Sequence, residues 1–415
     1  MLFRSGVLLV LWGGANKAGS LDLATMNAGA TANGFMMYGS SEWFGDGMAS
    51  ADLNRDGISD LIIGDSALAM GTDYGAVYVV YGHTGAWTNM VGTTTGMTGA
   101  TGAVTTFKGG TYFGDRIGVV GHVNGDGYVD FLVNAPAADG TGGVDSGVST
   151  LVFGTASGYP TSGVINLGTG TTSTSYGIKI SGAEAYEYLG DIAWDRTNNF
   201  NGDAYYSQAL TVGSIGDFNG DGVNDFMIGS PGWGDAANGY SAPGRAYIYY
   251  GHTGSWSDMS ASTASTAGKG FILTASGIGT NSNFGFAMAG GGDYNGDGYA
   301  DFLVTAVNAD TNGLTDNGAV WLVFGKSGGY SGTVDVTTLV ANGQALQWNG
   351  SASGVFMGTN VAMGDWNSDG YADVVIGAPY YDNGNTNEGG VFVFHGSSTG
   401  IGSSPNTTRE INQDD

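Results

Sequence analysis

Apolar positions along the chain fall into short runs of strand length, and the runs recur. Five of them end in Gly: "GAVYVVYG" (75–82), "GVSTLVFG" (147–154), "GRAYIYYG" (244–251), "GAVWLVFG" (318–325) and "GGVFVFHG" (389–396). A shorter apolar run precedes each one: "LIIGD" (61–65), "FLVNAP" (131–136), "FMIGSP" (226–231), "FLVTAV" (302–307) and "VVIGAP" (374–379). Runs of this length, rich in Val, Ile, Tyr and Phe and bounded by Gly, read as strands. Further upstream stands an apolar residue and a Gly: Phe44-Gly45, Phe113-Gly114, Leu189-Gly190, Phe284-Gly285 and Met357-Gly358. Downstream, a Ser/Thr/Gly-rich connection leads to one more short strand. Each unit therefore predicts four short antiparallel strands. Such a unit cannot bury both faces alone, and radial repetition gives a β-propeller with one unit per blade. The expected fold is all-β. It has five full repeats, about 44–112, 113–187, 188–283, 284–355 and 356–415, after a partial blade at 1–43.

Between the first and second strands of every unit lies an acidic loop. The loops read "DLNRDGISD" from Asp52, "HVNGDGYVD" from His122, "DFNGDGVND" from Asp217, "DYNGDGYAD" from Asp293 and "DWNSDGYAD" from Asp365. Their starts are 70, 95, 76 and 72 residues apart, the long interval holding an insertion at 191–216. The pattern is D-x-N-x-D-G-x-x-D. Alternate oxygen side chains at positions one, three and five can converge as the chain turns, and the Gly permits the turn. The last Asp closes the set from the start of the next strand. Oxygen donors without imidazole or thiolate suit Ca²⁺.

The expected ligands are Asp52, Asn54, Asp56 and Asp60 in loop one. They are Asp217, Asn219, Asp221 and Asp225 in loop three, and Asp293, Asn295, Asp297 and Asp301 in loop four. Loop five supplies Asp365, Asn367, Asp369 and Asp373. The position-seven carbonyls of Ile58, Val223, Tyr299 and Tyr371 add one donor each. Loop two keeps Asn124, Asp126 and Asp130 but begins with His122, so it is expected to bind weakly or stay empty.

These motifs resemble the FG-GAP repeats of integrin α-subunits and bacterial or archaeal surface proteins. The likeness rests on Phe44-Gly45 before the loop and on "IGSP" (228–231) and "IGAP" (376–379) after it, with departures at 62–65, 132–136 and 304–307. It covers nearly the whole chain. It implies a propeller, usually seven-bladed, with Ca²⁺ held in hairpins on one face. It also implies extracellular adhesion or ligand binding without catalysis.

Charge and composition narrow the choice. Net charge is −26, with 11 basic residues against 37 acidic ones. Nucleic acid and anionic membranes both need a basic footprint, so neither is an expected partner. There is no Cys, which removes disulfides, thiolate metal sites and a Cys nucleophile. No apolar run approaches the roughly 20 residues of a membrane span. The opening "MLFRSGVLLVLWGG" has a signal peptide's outline, but its apolar core is short and Lys17 falls where small residues are wanted. Residues 5–25 instead align with 146–168, and the reading is a third strand.

Smaller motifs carry less. "NFNGDA" (199–204) echoes the calcium loop, but Ala204 replaces the Gly and Ser207 stands in for the closing Asp. "DMSAS" (258–262) is a chance D-x-S-x-S, and Asn349 and Asn406 open N-glycosylation sequons. No catalytic constellation is present: His83 and His252 share one repeated turn, His395 takes the strand-end position of Tyr81, Tyr250 or Phe324, and His122 opens loop two. The expected function is calcium-dependent adhesion or structural assembly at a prokaryotic cell surface. Its partners would be a protein or glycan ligand, or copies of itself in a head-to-tail polymer. The alternative is a non-catalytic binding module of a larger secreted enzyme.

Overall fold

The computed structural model describes residues 6–11, 34–168, 176–191, 211–234, 242–398 and 408–411, apart from residues 42, 71, 72, 101, 383 and 385. The described residues form β-sheets, with a short α-helix at Val336–Ala341 capped by the Asp335 carboxylate and a 3-10 helix at Ala261–Ser265. Repeat two shows the plan. Strands Ile117–Gly121, Asp130–Ala135, Val148–Val152 and Gly177–Ser181 pair antiparallel in chain order. Repeats one, three and four have the same order, starting from Phe44–Ala51, Val212–Gly216 and Phe284–Gly292. Repeat five contributes Val361–Gly364, Asp373–Ala378 and Gly390–Phe394. At the other end Val7–Leu11 pairs with Gly34–Tyr38, so the apolar opening stretch is a strand.

Each full blade is five-stranded, one more than the repeat predicts. The additional strand is parallel and comes from the following repeat. Val164–Asn166 joins the fourth strand of repeat one, and Met259–Ser260 joins that of repeat two. Gly332–Asp335 and Thr408–Ile411 do the same for repeats three and four, and Met90–Thr93 for the opening sheet. The Ser/Thr-rich connections thus reach back to cover the edge of the preceding sheet, a position that would otherwise expose unpaired amides and carbonyls.

The hydrophobic core is divided among the sheets. One cluster joins Phe107 and Val77 of repeat one to Phe131 and Val133 of repeat two. The next joins Leu132 and Leu151 of repeat two to Phe226 and Tyr247 of repeat three. Two more bridge repeats three to four and four to five. Sheets stacked face to face bury both sides of their middle strands. This is why the strands at 130–135, 148–152 and 319–323 are buried at every position, the polar Asn134, Ser149 and Thr150 included, instead of alternating. First strands of successive repeats lie side by side, the propeller-like arrangement. The Phe-Gly signature serves this packing. Gly114, at φ 97°, places its carbonyl where a methyl on Gly64 of the preceding repeat would lie 1.9 Å away, so only paired glycines allow the approach.

Buried ion pairs fasten repeat three. Arg116 reaches Asp191 at 3.1 Å, and Arg245 meets Glu187 at 3.3 Å beside Tyr247 and Ser230. The Arg245 guanidinium lies 4.2 Å from the centre of the Trp233 ring. These partners are far apart in sequence and no local pattern marks them.

Candidate metal centres

The five acidic loops connect first to second strands, and all five have one backbone shape. Position four is left-handed in each: Arg55, Gly125, Gly220, Gly296 and Ser368 have φ of 59°, 72°, 76°, 73° and 61°. The position-six glycines 57, 127, 222, 298 and 370 lie between 84° and 91°. Local Asx turns set this geometry. The Asn oxygen at position three accepts the amide of position five, at 2.8–3.1 Å in all loops. The Asp at position five accepts the amide of position seven at 2.8–3.0 Å. The first Asp folds over the turn. Asp217 accepts from Gly220, Asp221 and Gly222 at 2.8, 3.0 and 2.9 Å, and Asp293 repeats this with Gly296, Asp297 and Gly298.

The closing Asp has a second task that the sequence pattern did not show. Asp60, Asp130, Asp225, Asp301 and Asp373 are all fully buried. One oxygen of each accepts the amide of loop position two, as Asp301 does from Tyr294 at 2.8 Å. The other accepts the amide of the Gly that ends the third strand: Gly82, Gly154, Gly251, Gly325 or Gly396, at 2.8–3.1 Å. The residue is therefore a strut tying loop to blade. Its signal is the nearly constant separation of 22 to 26 residues from Asp to Gly.

Burial raises these carboxyls against the amides that hold them down. Asp60 is pushed up to about 6, Asp130 and Asp301 to about 7 and Asp225 to about 8, with neighbouring loop carboxylates adding to the rise. Asp373 goes the other way. Burial raises it, but the amides of Gly396 and Trp366 and the His395 imidazole, 3.1 Å from its Oδ1, prevail.

Among the described residues, no group of three or more His, Cys, Asp or Glu stands drawn together as a metal centre. The hydrogen bonds give the reason: the loop carboxylates face the loop's own amides. Their chemistry nevertheless fits a hard cation. Loops one, three, four and five each offer three carboxylates and an amide oxygen, and such oxygens retain lone pairs beyond one hydrogen bond. Loop two keeps the shape without the first carboxylate. His122 donates its amide to Asn224 Oδ1 at 2.9 Å, and its Nδ1 is buried without a hydrogen-bond partner among the described residues.

The FG-GAP repeat model matches residues 209–249, 284–323 and 357–394. The chain carries FG-GAP repeats. Phosphatidylinositol-glycan-specific phospholipase D of Homo sapiens is 31% identical over 180 residues, which is 43% of this chain and 19% of that protein. Integrin alpha-6 of Gallus gallus is 32% identical over 129 residues, 31% of this chain and 10% of that protein. The FG-GAP chain thus spans a small part of the length of these relatives.

The remaining motifs find plain structural uses. Asp258 of "DMSAS" accepts the Lys179 amide at 2.9 Å where Met259–Ser260 joins its parallel strand. Asn349 is 1% exposed and bonded to Gln347, so its sequon is closed to a glycosyl transferase in the folded chain. His83 and His252 stack on Trp87 and Trp256, centroids 4.1 and 4.2 Å apart. Ala204, Ser207, Asn406 and Lys17 lie outside the described residues. No helix among the described residues is long and apolar enough to cross a membrane.

Proposed function

We propose that this FG-GAP chain is an extracellular binding module in adhesion or structural assembly at a prokaryotic cell surface, and that Ca²⁺ holds its loops. The observation that carries the reading is the set of five loops with one backbone shape and oxygen-only donors. The side chains at positions one, three, five and nine and the carbonyl at position seven would hold the ion in loops one, three, four and five. Loop two, with His122 first, would bind more weakly or not at all. The cation neutralises carboxylates that otherwise repel one another and Asp residues that burial holds above their usual range.

Its partner is a protein or glycan ligand, or further copies of the chain. The chain itself performs no catalysis. The similarity to part of a phospholipase D supports a second reading, in which the chain is the non-catalytic module of a larger secreted enzyme.

Calcium sites of the extracellular class have dissociation constants of about 0.1–1 mM. In millimolar calcium a site at the tight end adds about 1.4 kcal/mol to stability. Four such sites raise the melting temperature on the order of 5–10 °C above that in excess EDTA. Differential scanning calorimetry in the two conditions measures this, and superimposed melting curves overturn the calcium reading.

A further inference from the structure

Neighbouring loops touch in a repeated way. The Tyr299 ring, from position seven of loop four, lies over position four of loop three. A methyl placed on Gly220 would sit 2.4 Å from a ring carbon. The Tyr371 ring of loop five lies on Gly296 of loop four in the same manner, at 2.3 Å. Both seats exist because the left-handed residue beneath has no side chain.

A backbone bond accompanies each ring. The Ala300 amide donates to the Asp217 carbonyl at 3.2 Å, and the Ala372 amide to the Asp293 carbonyl at 2.9 Å. Thus position eight of one loop holds position one of the loop before it. The next blade also grips positions two and three. Lys326 and Gly328 donate to the carbonyls of Phe218 and Asn219, and Ser397 donates to that of Tyr294.

The chain of contacts changes at loop two. Loop three carries Val223 at position seven, and Gly125 faces Thr253 instead of a ring. Loop one meets loop two through Arg55, whose guanidinium lies 5.4 Å from the centre of the Tyr128 ring.

We propose that loops three, four and five take up divalent cations as a coupled set, with Tyr299 and Tyr371 as positioning residues. The inference rests on the calcium reading above. The residue that offers the position-seven carbonyl to one loop is the residue whose ring rests on the preceding loop. Ordering the preceding turn fixes the seat of that ring and so the carbonyl beside it. A second cation then orders less chain than the first, which is positive coupling. Loop one lies outside the set.

The test is calcium titration of the decalcified full chain by isothermal calorimetry. Asp369→Asn in loop five removes one site and weakens those remaining in loops three and four by fivefold or more. Asp56→Asn in loop one removes one site and leaves loops three to five within twofold. Tyr371→Val leaves every ligand in place, so it bears on the coupling even where Asp369→Asn fails to fold. It keeps the number of sites and weakens loops four and five by fivefold or more. Remaining affinities within twofold after Asp369→Asn or Tyr371→Val overturn the coupling and leave the calcium reading standing. No binding by the unaltered chain overturns both.

Discussion

Repeats one and two match repeats three and four as one pair matches another, and loops two and four hold the same place in them. In the first pair the Tyr159 amide donates to the Tyr81 hydroxyl at 2.6 Å, and in the second the Tyr330 amide donates to that of Tyr250 at 2.6 Å. The second-to-third-strand turns match as well, with Asp139 accepting the Asp145 amide and Asp310 that of Asp316 at 3.0 and 2.9 Å. Against this background the two loops differ at their first residue, His122 against Asp293. Asp293 accepts three loop amides, while His122 offers none of them an acceptor, yet both backbones take the same turn. The turn is therefore shaped by its glycines, its Asx bonds and the buried closing Asp. The first carboxylate adds charge to a shape that stands without it.

Removing the closing Asp should give the largest effect and the same one on both sides. In metal-free buffer Asp130→Ala and Asp301→Ala each strand two buried amides, one in the loop and one at the strand end. Each should cost about 2–4 kcal/mol in urea unfolding. A large inequality without metal would mean that the loops are not built alike.

Exchanging the first residue sharpens the contrast. His122→Asp should add one calcium site in a titration and about 1 kcal/mol of stability in millimolar calcium. It should change little in EDTA. An unaltered stoichiometry would place the deficit of loop two elsewhere than at His122. The smallest effect concerns the shared frame. Tyr81→Phe and Tyr250→Phe each remove a buried acceptor, and both should lose about 1 kcal/mol with or without calcium. A calcium-dependent loss in one of them would show that the frame and the loops are not separate.

Much of this was legible in the sequence because the repeat displays it several times. Strand positions, the acidic loops and the Phe-Gly signature each recur in phase, so chance at one site is corrected by the others. The N-terminal stretch was legible in the same way: Val7–Leu11 aligns with Val148–Val152, and both are strands. The fifth strands were not legible. Val164–Asn166 and Met259–Ser260 are two or three residues long, too short for a period, and their parallel partners belong to another repeat. The double duty of the closing Asp was missed for a related reason. Its pattern reads as a metal ligand within nine residues, while its second amide lies 22 to 26 residues away.

Those borrowed strands set a timetable for the growing chain. The edge of repeat two stays bare after Ser181 is made, until Met259–Ser260 arrives from the next repeat. That is roughly 80 residues later, on the order of 4–16 s of ribosomal synthesis. The sheets of repeats one to four thus each spend an interval as a sticky edge, and the opening sheet waits in the same way for Met90–Thr93. The Lys179 side chain in the fourth strand of repeat two stands on such an edge, and charge there discourages pairing with a stranger during the wait.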